Sequence, residues 1–144
     1  MDTLFMNGNK KAQDILDDQF DMIVSDDCNM FNAGSFFIKN SEWSKQYLRE
    51  VLNVTAPVPE WAQEQSALMN VKDEKSYHEH FKWVDQRDIN SYPNNICPSE
   101  KPSNEYQHGD LLLHFANHSW RGDWLEILFK YYYKTTGLEN IFIP

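Results

Sequence analysis

The chain has 144 residues, 41% of them hydrophobic and 15% aromatic, enough to build the core of one domain and too apolar to stay disordered. Its formal net charge is -9, from 13 basic and 22 acidic residues, which argues against a surface that grips nucleic acid or an anionic membrane. No apolar stretch approaches the roughly 20 residues of a membrane span, and no basic-then-apolar signal peptide opens the chain.

In chain order, "TLFM" (3–6) reads as a short buried strand and "NKKAQDILDD" (9–18) as a short helix, with Ala12, Ile15 and Leu16 at helical spacing. "DMIVS" (21–25) and "AGSFFIK" (33–39) read as strands. Asp26 and Asp27 between them suit the capping of a turn. Ser41 is placed to cap the helix "EWSKQYLREVLN", whose Trp43, Tyr47, Leu48, Val51 and Leu52 fall on one side. Pro57 and Pro59 break that helix. A shorter helix is expected over 64–71, and short extended pieces over 81–84 and 89–92. Residues 93–109 hold three prolines and many turn formers, which predicts a long surface loop. "LLLHF" (111–115) is a near-continuous apolar strand, and "WRGDWLEILFKYYYKTT" (120–136) a closing helix stopped by Gly137. Strands alternating with helices predict an α/β domain, a mixed sheet flanked by helices. Cys28 and Cys97 allow at most one internal disulfide.

Several residue groups carry chemistry. His114 follows three leucines, and alternation sets it on the face of Leu112, opposite Leu113 and Phe115. It reads either as a core histidine with a backbone partner or as a metal ligand at the carboxyl end of a strand, where α/β sheets hold their ligands. Gly34 suits close backbone approach to a ligand, and the Asn32 amide offers donors and acceptors for sugar hydroxyls; the plain alternative is a turn before a strand. Glu64 and Gln65 open a helix, either as ordinary first-turn residues or as a polar pair aimed at a substrate. His78 and His80 would share a face if extended, a weak metal signal beside a solvated loop. "NVT" (53–55) and "NHS" (117–119) are glycosylation sequons.

The order of these pieces is more specific than any one of them. "DTLFMN", "NAGSFFIKNSEWS", "EQSAL", "QRDINSYP" and "YQHGDLLLHFANH" follow one another across roughly residues 1 to 120. That series resembles the α-glycosyltransferase family of fungal α-galactosyl- and α-mannosyltransferases and plant xyloglucan xylosyltransferases, and "QRDINSYP" leans toward the fungal branch. The resemblance implies a GT-A fold, a UDP- or GDP-sugar donor, a glycan acceptor, retention of anomeric configuration and a divalent metal, usually manganese. Asp2 matches the second aspartate of the family's Asp-x-Asp motif, and His114 matches the histidine that completes the metal site. Asn32 and Gly34 match donor-sugar contacts. Glu64 and Gln65 match the acidic-plus-amide pair beside the anomeric carbon, where Gln65 steadies an oxocarbenium-like centre and Glu64 also faces the sugar. Asn117 and His118 stand where the family has Gly-Cys, which directs Asn117, His118 or Arg121 to the diphosphate.

The motif's first aspartate has no counterpart in the 144 residues, so the chain reads as the carboxyl-terminal part of such a transferase. The resemblance implies residence in the Golgi lumen if an upstream membrane anchor exists. Two other readings stand beside the transferase: an inactive remnant that binds glycan or a partner subunit, and a small metal-binding protein built on His78, His80, His108, His114 and His118.

Overall fold

β2 (Met22–Asp26) is the spine of the molecule, because its first four residues are buried on both faces. In this computed structural model, which describes residues 3–55, 63–93, 96–97 and 104–116, β2 lies between β3 (Phe31–Ile38) and β4 (Phe81–Trp83). It pairs antiparallel with β3 and parallel with β4, so the sheet is mixed, as expected. A register shift between Ile23 and Ser25 interrupts the β2–β3 ladder. A second sheet joins β1 (Thr3–Phe5) to β5 (Leu112–His114) in antiparallel register, with Thr3 opposite His114.

Strand alternation divides the core in two. Met22 and Val24 face α1 (Glu42–Leu52) and α2 (Gln63–Glu74), packing with Phe31, Tyr47, Leu68, Val71 and Phe81. Ile23 faces the other way, toward Ile15, Ile89, Leu111 and Leu112. Ser41 caps α1 by accepting from the Ser44 amide at 3.1 Å. Tyr47 ties the helices together, its hydroxyl donating to the Leu68 carbonyl at 2.7 Å. Of the expected apolar face of α1, Tyr47 is buried, whereas Leu52 is 85% exposed.

Several elements differ from expectation, and β1, read as a buried strand, leaves Phe5 77% exposed. Residues 9–18 form no α-helix but a single 3-10 turn, Ala12–Asp14. Short polar side chains capture the backbone there: Asn7 accepts from the Asn9 amide, Asp14 from Lys11 and Asp17 from Gln19, which competes with helical bonding. α2 runs on to Glu74, past the expected end at residue 71, with Ser76 turning the chain away in the left-handed region. Extended backbone over 89–92 is confined to Ser91 and Tyr92, because Asp85 caps a short helix, α3 (Gln86–Ile89).

Within the loop expected over 93–109, Tyr92 bridges to Glu105, and Cys97 forms a disulfide with Cys28. No helix among the described residues is long and apolar enough to cross a membrane. The helix expected over 120–136 and the 117–119 sequon lie outside the described residues.

Candidate functional site

The site is organised around the start of β3, where the chain leaves the turn after β2. The Asp27 side chain builds that turn, accepting from the amides of Asn29 and Met30 at 2.6 and 3.0 Å, as the capping role required. Its other oxygen takes hydrogen bonds from the Asn32 amide at 2.9 Å and the Tyr92 hydroxyl at 2.8 Å. Asn32 also donates to the Tyr92 oxygen at 2.8 Å, and its own oxygen accepts from the Gly34 amide at 2.8 Å. Asn32 is buried, and its donors and acceptor are all engaged by the protein. In this arrangement it shapes the backbone at Ala33 and Gly34. Burial, then the neighbouring Asp27 carboxylate, push the Tyr92 hydroxyl far above its ordinary pKa, so it stays protonated and donates.

Gly34 faces the imidazole of His114. A Cβ added there would stand 2.0 Å from Cε1 and 2.7 Å from Nε2 of that ring. The close approach that only glycine permits is therefore used by His114 among the described residues. The ring is 4% exposed and meets Tyr92 edge-on at 5.6 Å. Its Nδ1 lies 2.7 Å from the Asn90 side-chain oxygen, and its backbone amide donates to Ser91 at 2.8 Å. The bond between Nδ1 and the Asn90 oxygen fixes the orientation of the ring, as second partners do for imidazoles that ligate metals. Leu113 and Phe115 pack on the opposite side with Leu4, Met6 and Tyr106, as alternation predicts.

Gln65 reaches the same place from α2, its Oε1 accepting from the Ala33 amide at 2.9 Å. Glu64, one residue earlier, is exposed at the helix start. Four of the sequence-derived residues, Asn32, Gly34, Gln65 and His114, thus meet within one hydrogen-bonded neighbourhood. Asp2, Asn117, His118 and Arg121 lie outside the described residues. Thr3, next in sequence to Asp2, stands directly across the ladder from His114.

Sequence reasoning missed the supports. Arg87 forks onto Asp110 at 2.8 and 3.1 Å, and Asp110 also accepts from the Ser91 hydroxyl and the Gln107 amide. Burial alone would raise the Asp110 carboxyl, but these donors more than offset it and hold it below the usual carboxylate range. The pair clamps the start of β5 to α3, which also delivers Asn90 to His114. The signal was the polar stretch "RDINSY" ahead of an apolar strand.

The histidine-cluster reading is corrected. His78 meets the Lys72 ammonium, His80 meets Asp21 at 2.7 Å and stacks on Trp43, and His114 meets Asn90. Among the described residues no three His, Cys, Asp or Glu side chains gather to hold a metal. His78 and His80 share one 3-10 turn, Tyr77–His80, but bond different partners, and His114 lies on β5.

With this geometry in view, residues 2–123 match the galactosyl transferase GMA12/MNN10 family. The chain belongs to that family. An uncharacterized alpha-1,2-galactosyltransferase of Schizosaccharomyces pombe is 33% identical over 108 residues, covering 69% of this chain and 26% of the relative. A probable alpha-1,6-mannosyltransferase of Saccharomyces cerevisiae, MNN10, is 28% identical over 134 residues, covering 86% of this chain and 33% of the relative. The chain thus spans about a quarter to a third of the length of these curated relatives. No solved structure matches it.

Proposed function

We propose that the protein acts in a retaining glycosyltransferase, moving a hexose from a UDP- or GDP-sugar to a glycan hydroxyl, with its sheets forming part of a GT-A domain. The observation that carries this reading is the meeting of Asn32, Gly34, Gln65 and His114 in a chain of this family. They are separated in sequence by up to 82 positions, and the fold brings them together through the Asn32–Gly34, Ala33–Gln65 and Gly34–His114 contacts.

His114, held through Nδ1 by the Asn90 oxygen and set against Gly34, is of the residue type that would hold a divalent metal at this point. Together with Asp2 it would hold manganese. Such a metal supplies Lewis-acid stabilisation of the leaving diphosphate. Asn117, His118 and Arg121 are assigned to the diphosphate. The protein's own part is orientation. Asn32 fixes the Gly34 backbone, Gly34 admits the His114 ring, and Gln65 anchors through Oε1 while its side-chain amide faces the reacting sugar beside Glu64. An amide is a poor nucleophile, so Gln65 supports an oxocarbenium-like centre by its dipole. The Cys28–Cys97 disulfide supports residence in an oxidising lumen such as the Golgi.

The test is release of nucleoside diphosphate from UDP-galactose and GDP-mannose by the purified chain with manganese, followed in wild type and in Gln65→Ala. Manganese-dependent release that falls in the variant agrees with the proposal. Release at the same rate in both would remove Gln65 from the chemistry.

A further inference from the structure

A cleft of about 450 Å³ opens beside the Asn32 network, at the carboxyl ends of the parallel strands β2 and β4. Ligands of α/β sheets bind at such ends. Trp83 lines it and is 42% exposed, unusual for so large a ring. Phe31 meets the indole edge-on at 6.0 Å, and the Lys72 ammonium stands 5.9 Å from its centre, so its position is set from within the core. Asp26, Asn29 and Asp85 line the same cleft. No described residue hydrogen-bonds the Asp26 carboxylate, and partial desolvation with the adjacent Asp27 charge raises its pKa against the opposing Lys72 ammonium. Asp85 gives one oxygen to the Arg87 amide and keeps the other.

Carboxylates at this density repel a diphosphate, so the cleft does not suit the anionic donor. An exposed aromatic face with an unpartnered carboxylate and amide is chemistry for a neutral polyol: C–H groups lie on the ring while hydroxyls donate to Asp26 and exchange hydrogen bonds with Asn29. Asp27 is shared, lining the cleft and holding Asn32 and Tyr92 behind it.

We propose that this cleft, where the Trp83 ring, the Asp26 carboxylate and the Asn29 amide come together at the ends of β2 and β4, binds a neutral saccharide, the acceptor glycan of the transferase. The inference rests on the transferase reading and deepens it. It places the acceptor next to the donor-sugar residues, with Asp27 as the wall between.

The experiment titrates the full chain with methyl α-mannoside, methyl α-galactoside and α-1,6-mannobiose, without nucleotide or metal, by saturation-transfer NMR and tryptophan fluorescence. Binding of at least one saccharide is expected, weakened about tenfold or more by Asp26→Asn and by Trp83→Ala. Nucleoside diphosphate binding with manganese should stay as in wild type. Asp26→Asn guards against misfolding, because Asp26 is exposed and without a hydrogen-bonding side-chain partner. Saccharide binding at wild-type strength in both variants, or no binding of any of the three probes, overturns the proposal. Failure of wild type to bind nucleotide would strike the transferase reading instead, since the saccharide titration contains none.

Discussion

Replacing Gly34 by alanine tests how the site is assembled. The new Cβ would begin 2.0 Å from His114 Cε1, against 3.4 Å for ordinary contact, so the ring must retreat by about 1.4 Å. It has little room, being 4% exposed, pinned to Asn90 at 2.7 Å and carried on a strand whose amide bonds Ser91. Overpacking of this kind costs about 1–3 kcal/mol, and a strained or broken Nδ1 bond to Asn90 adds about 1 kcal/mol. Near this chain length each kcal/mol lowers Tm by roughly 2–4 °C. Urea and thermal unfolding of wild type, Gly34→Ala, His114→Ala and the double variant make a double-mutant cycle. With the ring gone, Gly34→Ala should cost well under 1 kcal/mol, since the φ angle at Gly34 is not in the left-handed region and the main obstacle has been removed. A full-sized loss in the His114→Ala background would refute the contact between the two residues.

Other expectations follow from the same contacts. Arg87→Ala strands the buried Asp110 carboxylate and should cost about 2–3 kcal/mol in urea unfolding, below the range for fully buried pairs because Arg87 is partly exposed. Asp110 is held below its unfolded pKa, so its stabilisation is full above the ordinary carboxylate range and is lost as pH falls through the folded value; the acid limb of a pH–stability curve should flatten in Asp110→Asn. Reduction of Cys28–Cys97, which closes a separation of 69 residues, should remove up to about 4 kcal/mol, read as a shift in urea midpoint with and without dithiothreitol. Gln65→Ala should lower turnover about 100-fold or more while leaving nucleotide affinity intact, a kcat-against-Kd split measured by product release and calorimetry.

Much of this was legible because burial and alternation act locally. The strands at 21–25, 33–39 and 111–115 carry apolar runs that only a sheet interior accommodates, and Ser41 stands one residue before an amphipathic helix. Residues 9–18 misled because helical spacing of Ala12, Ile15 and Leu16 was outweighed by Asn7, Asp14 and Asp17 bonding the backbone. At the site, residue types in order pointed to Asn32, Gly34, Gln65 and His114, but not to what each touches. That Gly34 makes room for a side chain, and that Asn32 is wholly engaged by Asp27, Tyr92 and Gly34, depends on contacts between distant segments. Spacing along one chain carries no record of them. The Arg87–Asp110 clamp was missed for the same reason, its partners lying 23 residues apart.

Whether His114 belongs to a metal-dependent nucleotide site is read by calorimetric titration of UDP and GDP with and without manganese. Binding should require manganese in wild type and be lost in His114→Ala, while unfolding shows the variant still folded. Manganese-dependent affinity unchanged in a folded His114→Ala protein would contradict it and leave His114 as a core histidine bonded to Asn90.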